Sequence, residues 1–256
     1  MWYNVFIKMI GGIMSKTQKI VIITVAVALV VAVVAFCIFY FLGLTGIHHH
    51  SEPKEGQIKV ACVGDSITYG HGISDWEKNN YPAQLQGILG DDYHVANFGH
   101  SARTLSPDGD RPYIESEQYR LSLEYDADIV VIMLGTNDSK PANWVDEEDF
   151  IKKYDDFINS YKENNPNVKI ILCTPAKCYL PIKDNYGDLD IRSEVVDVIK
   201  DATYTYATTK GYDLVDIYAL TDNHEEWFGD KIHPSKDGAK VMAEAIADMV
   251  RIVATT

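Results

Sequence analysis

The sequence predicts a doubly wound, three-layer α/β domain built on a parallel sheet and preceded by one membrane-spanning helix. Three observations carry this expectation. Short apolar runs rich in Val and Ile recur five times between residues 58 and 217, the pattern of strands covered on both faces. Segments with helical spacing separate them, and such alternation favours helices on both sides of one sheet. Ahead of all this, Ile20 to Phe41 is a run of 22 residues without a charge, long enough for a hydrocarbon layer of about 30 Å.

Taken in order, residues 1–19 are expected to form a cytoplasmic N-terminal segment. Lys8, Lys16 and Lys19 precede the apolar run and no acidic residue appears before Glu52, so the positive-inside rule leaves the remainder of the chain extracellular. Met14-Ser15-Lys16 reads equally well as a start. A transmembrane signal-anchor is expected over 20–44, with Phe39, Tyr40 and Phe41 at its interfacial end. A cleaved, secreted form is the alternative, but the run exceeds a usual signal-peptide core and no clear small-x-small site follows it. Residues 45–56 form a linker, where His48-His49-His50 reads as solvated chain rather than a metal site.

Residues 57–256 form the domain. Strands are expected at Ile58–Val63, His94–Phe98, Ile129–Leu134, Val168–Cys173 and Leu214–Ile217. Helices are expected at Pro82–Leu89, Glu115–Tyr125, Glu147–Tyr161, Ile191–Thr209 and Lys236–Val253. The third of these places Phe150, Ile151, Tyr154, Phe157, Ile158 and Tyr161 on one face, and Asn165-Pro166 closes it. The formal net charge is −14, and beyond residue 51 there are 20 basic against 37 acidic residues. A domain so acidic repels polyphosphates, which argues against nucleic acid as a partner. Cys62, Cys173 and Cys178 read as small buried hydrophobes, with no disulfide framework or zinc spacing.

The chemistry-bearing residues sit at strand ends. Gly64-Asp65-Ser66-Ile67-Thr68-Tyr69-Gly70 follows the first strand directly and leaves a hydroxyl at its carboxyl end, where open α/β sheets bind ligands. Asp230-Lys231-Ile232-His233-Pro234 offers a base, His233, and an acid, Asp230, to fix its tautomer. Trp227 and Phe228 are expected to pack that loop down. Asn97-Phe98-Gly99 and Gly135-Thr136-Asn137-Asp138 follow the second and third strands; taken singly each is an ordinary turn. Contacts to a substrate are expected from Asp65, His100, Arg103, Lys140, Trp144 and Tyr179, with Trp144 read equally well as stacking on a sugar ring or as covering a helix.

Gly64-Asp65-Ser66, Gly99, Gly135-Thr136-Asn137-Asp138 and Asp230-Lys231-Ile232-His233 resemble, in order, the four blocks of the SGNH (GDSL-type) hydrolase family. The resemblance covers roughly Gln57 to the C-terminus. It implies a flavodoxin-like αβα sandwich with five parallel strands ordered 2-1-3-4-5. It also implies Ser66 as nucleophile, His233 as base, Asp230 as its partner, and an oxyanion hole from the Ser66 and Gly99 amides with the Asn137 side chain. No metal or organic cofactor is implied. Two departures stand out: Ala102 replaces a glycine that many relatives carry, and Ile67 replaces a leucine.

The wider pattern, with Tyr81-Pro82 and Leu134 to Lys140, is similar to bacterial carbohydrate acetylesterases of the sialate O-acetylesterase-like kind. The expected function is therefore a membrane-anchored extracellular serine esterase that removes O-acetyl groups from carbohydrate. Lipolytic or thioesterase action, transfer of acyl groups to cell-wall glycan, and a non-enzymatic glycan-binding module are the alternatives.

Overall fold

The computed structural model describes residues 15–41, 51–183, 185, 187 and 190–255. The first helix, α1 (Lys16–Phe41), stands as a unit apart from residues 46–256. Its apolar side chains from Ile20 to Val34 are exposed on every side, and that stretch rises only about 22 Å. Among the described residues no helix is long and apolar enough to cross a membrane. The span expected over 20–44 is thus not established by the structure. Residues 42–44, the first fourteen residues of the N-terminal segment and 45–50 of the linker lie outside the described residues.

In the domain, five strands form one parallel sheet: β1 (Ile58–Gly64), β2 (Tyr93–Gly99), β3 (Ile129–Met133), β4 (Lys169–Cys173) and β5 (Asp213–Val215), in the order β2-β1-β3-β4-β5. The order reverses beside β1, whose last residue, Gly64, pairs with Gly99 on one side and Met133 on the other. Three of the motif blocks therefore meet at one sheet edge by register alone.

Successive strand residues point to opposite faces, and the core divides accordingly. Val60 and Cys62 of β1 and Ile129, Val131 and Met133 of β3 pack against α4 (Tyr81–Leu89) and α9 (Lys236–Ala254). Ala61, Val63, Val130 and Ile132 pack instead with α6 (Glu147–Asn164) and α7 (Ser193–Lys210). The remaining helices are α2 (Ser66–Tyr69), α3 (Trp76–Asn79), α5 (Glu117–Glu124) and α8 (Ile217–Thr221).

Most expected elements appear within a few residues of their expected bounds, and the one departure in element type has a local cause. The fifth strand ends at Val215 because the Asp216 carboxylate accepts a hydrogen bond from Ala219 N and caps α8, so Ile217 is helical. The fifth expected element, Lys236–Val253, starts where expected because Ser235 caps α9, which leaves Pro234 just outside it. Cys62, Cys173 and Cys178 are buried free thiols.

Candidate active site

Ser66 is the first residue of α2. Asp65 caps that helix by accepting from Ile67 N at 2.9 Å, and Gly70 closes it in the left-handed region at φ 95°. A Cβ on Gly64 would lie 2.1 Å from Thr68 Oγ1, so glycine lets the helix fold directly back on the strand end. The Ser66 N–H, as the first of a helix, has no intrahelical acceptor.

His233 reaches Ser66 from a loop. Its Nε2 lies 2.8 Å from Ser66 Oγ, and its Nδ1 lies 2.6 Å from Asp230 Oδ2. Asp230 Oδ1 also accepts from the backbone N–H groups of Ile232 and His233, at 3.0 and 2.7 Å. An ionised Asp230 requires Nδ1 to donate, which leaves Nε2 free to accept from the serine hydroxyl. Burial pushes His233 below its ordinary range and outweighs the upward pull of Asp230; the neighbouring His71, with ring centroids 4.6 Å apart, adds to the lowering. Partial burial alone would lift the Asp230 carboxyl, but the hydrogen bonds from His233 and Ile232 hold it below the usual range.

The loop is anchored as expected: Phe228 is buried against Tyr179, and Trp227 packs on the same core while stacking on His224. Lys231 turns it with φ 72°.

Asn137 follows β3 in a 3-10 turn that Gly135, at φ 126°, makes possible. Asn143 donates to its carbonyl at 2.9 Å, while the Asn137 amide faces Asp65 Oδ2 at 3.3 Å. Asp138 is buried and accepts from Leu105 N and Ser106 N, at 2.9 and 2.8 Å, tying the third block to the loop after β2. Burial raises both carboxyls, Asp65 to about 7 and Asp138 to about 6, against these hydrogen bonds.

Ser66, Asn137 and His233 open on a cleft of about 330 Å³ that is also lined by His71, Ser101, Ala102, Arg111, Thr136, Lys140, Ile191 and Ile232. Gly99 is not among them. Its N–H donates to Asn97 Oδ1 at 2.8 Å, and a Cβ there would meet Tyr69 N at 2.2 Å, so this glycine seats α2 against β2 and is not free to hold an oxyanion. Ala102, in the left-handed region at φ 65°, takes the place on the cleft wall that the sequence assigned to Gly99. The departure from glycine at that position was the available signal.

Of the expected substrate contacts, only Lys140 lines the cleft. Asp65 is buried and serves as a cap. His100 and Arg103 lie outside the lining and face each other at 3.4 Å. Trp144 is half-buried, lies outside the cleft lining and packs against Phe150. The Tyr179 hydroxyl donates to Thr221 O at 2.6 Å and accepts from His224 N at 2.9 Å, so it braces the loop that leads to Asp230. His71 and Arg111 escaped sequence reasoning because neither stands in a block.

A hydroxyl, an imidazole and a carboxylate hydrogen-bonded in series at the strand ends of a parallel α/β sheet have the arrangement found in serine hydrolases. Residues 62–241 match the sequence profile of the GDSL-like lipase/acylhydrolase family, and the chain belongs to that family. An acetylxylan esterase from Xylanibacter ruminicola is 39% identical over 217 residues, which cover 78% of this chain but only 44% of that protein. The chain thus spans under half the length of this relative. A carbohydrate acetylesterase from Sinorhizobium meliloti shares the fold with a TM-score of 0.60 at 21% identity, covering 77% of this chain and 99% of that one. An aryl esterase from M. smegmatis does so with a TM-score of 0.61 at 19% identity, covering 77% and 99%.

Proposed function

We propose that this protein is a membrane-tethered extracellular esterase that removes O-acetyl groups from carbohydrate through an acyl-enzyme on Ser66. The series of bonds from Ser66 through His233 to Asp230 is the observation that carries the reading. Ser66 Oγ attacks the ester carbonyl as His233 Nε2 takes its proton, and Asp230 stabilises the imidazolium that forms. The Asn137 amide, with the backbone N–H groups of Ser66 and Ala102, receives the oxyanion; each such donor is worth about 3 kcal/mol of barrier. The sugar alcohol leaves with the proton from His233. Water, deprotonated by the same nitrogen, then releases acetate and restores Ser66.

The small acyl group is favoured by the cleft, which at about 330 Å³ is short and open and carries Lys140, Arg111 and Thr136 near Ser66. The likeness to an acetylxylan esterase supports carbohydrate as the leaving alcohol. Acetate release from acetylated xylan, pectin, sialic acid and peptidoglycan, alongside nitrophenyl acetate and palmitate, tests both points. Wild-type protein should release acetate and prefer the short ester, while Ser66→Ala should lose at least ~10⁴-fold in kcat. A palmitate preference, or an active Ser66→Ala, would overturn the reading.

Tethering is supported by α1, which is apolar all round instead of along one stripe, the character of a helix with an apolar surround on every side. Thr24, the lone hydroxyl between Ile20 and Phe41 apart from Tyr40, turns its hydroxyl to Ile20 O at 2.9 Å, as a polar group in lipid must. The full chain should stay in the membrane fraction after a carbonate wash, with its esterase digested by external protease on intact cells. Release by carbonate would reject the anchor.

A further inference from the structure

The cleft's charge runs against that of the domain around it. Beyond residue 51 acidic residues outnumber basic ones 37 to 20, yet the cleft lining holds Arg111 and Lys140, with His71 and His233, and no carboxylate. Asp230 stands behind His233, but the cleft lining itself presents cations and no carboxylate, and such a lining draws anions.

The two cations differ in what holds them. Lys140 is buried, and its Nζ is neutralised by Asp110 Oδ2 at 3.2 Å. Arg111 is exposed, and among the described residues no ion pair or hydrogen bond engages its guanidinium. A second guanidinium, Arg103, is close enough for Arg111 to push its pKa down, though burial contributes more. The carboxylates of Glu115 and Asp110 offset part of this on Arg103, whereas among the described residues no carboxylate pairs with the Arg111 guanidinium itself.

An exposed arginine is usually a solvated surface group, but the backbone beneath Arg111 is fixed. Its carbonyl accepts from Thr104 N at 3.0 Å, and Thr104 bridges to Pro112 on its other side. The preceding residue, Asp110, accepts from Lys140 Nζ and from Asn143 Nδ2 at 2.9 Å, and its own N–H donates to Asn143 Oδ1 at 2.8 Å. Asn143 in turn donates to the carbonyl of Asn137. The root of Arg111 is therefore joined by two side chains to the residue proposed to hold the oxyanion. A planar guanidinium carried on a fixed backbone at the cleft wall suits two-point recognition of a carboxylate.

We propose that Arg111 selects O-acetylated sugars that carry a carboxylate, by binding that carboxylate while the acetyl group lies at Ser66. This inference rests on the esterase reading above and names the class of sugar for the same site. Arg111 is a specificity residue and takes no part in the bond changes.

The test compares acetylated methyl galactopyranosiduronate with acetylated methyl galactopyranoside, and the same pair in the gluco series, using the full chain in detergent. Each pair differs only in carboxylate against hydroxymethyl. Wild-type kcat/KM should favour the uronate at least fivefold at low salt, and the preference should shrink as salt rises. Arg111→Gln should erase the preference while leaving nitrophenyl acetate turnover within about twofold of wild type. Free galacturonate should inhibit the wild type more strongly than galactose, and Arg111→Gln should lose that difference. Equal rates on both members of each pair, or a uronate preference that survives in Arg111→Gln, would overturn the proposal and leave the esterase reading standing. Absence of acetate release from every ester, nitrophenyl acetate included, would instead defeat the esterase reading.

Discussion

Ser66 stands in the company of two histidines. His233 touches its hydroxyl directly, and His71, whose N–H bonds to the Ser66 carbonyl at 2.9 Å, sets its ring beside His233. Burial is the larger reason that His233 lies below its ordinary range, with His71 adding to it. A base must be neutral to accept the serine proton, so the acid limb of kcat/KM should fall below the unperturbed histidine value of about 6.5. Replacing His71 with Gln removes one lowering influence; the limb should then move to higher pH, measured with nitrophenyl acetate. A limb that stays put or moves down would show that the His71 charge does not reach His233. Asp65 teaches a different lesson at this scale. Its place beside the serine suggested contact with substrate, but a fully buried carboxyl that caps α2 and faces Asn137 can only organise its neighbours.

At the scale of elements, the loop between α8 and α9 decides whether the base arrives. That loop has no regular structure to hold it beyond a 3-10 turn at Glu225–Trp227, so side chains from outside must brace it. Phe228 fills the core beneath, and Tyr179 bridges Thr221 O and His224 N with its hydroxyl while its own N–H donates to Lys231 O at 2.8 Å. Tyr179→Phe keeps the ring but strands both backbone groups. The loss should be about 1 kcal/mol of stability and several-fold in kcat, with KM little changed. A rise in KM with kcat intact would mean that Tyr179 meets the substrate after all.

For the whole molecule, the two buried acids make stability depend on pH. Asp65 and Asp138 have folded values of about 7 and about 6, both raised by burial, whereas an unfolded aspartate titrates near 4. Between those values the native state holds more protons than the unfolded chain, so their contribution to stability is full below about pH 4 and is lost as pH rises towards 7. Thermal midpoints of the full chain in detergent at pH 5 and pH 7.5 should differ in that direction, and Asp65→Asn should narrow the difference. An unchanged difference in the variant would show that Asp65 is ionised throughout. The same two acids link the blocks after β1, β2 and β3, so the site and the stability of the sheet edge share one set of bonds.

Much of this was legible in the order of residues. The alternation of Val- and Ile-rich runs with amphipathic segments was enough to specify a parallel sheet between helices, because strand burial on both faces and helix periodicity leave local traces in composition. Ser66 and Asn137 could be named because they follow strands closely, and Asp230 and His233 because an acid and a base stand three residues apart before the last helix. What sequence could not supply was which backbone amide and which side chains face the cleft. Gly99 and Ala102 are neighbours along the chain, yet one lies under α2 and the other on the cleft wall. Trp144 and Tyr179 stand outside the cleft, while His71 and Arg111 line it with Ser66. Direction of this kind is set by close packing and by hydrogen bonds between residues far apart in the chain, and those exist only once the chain has folded.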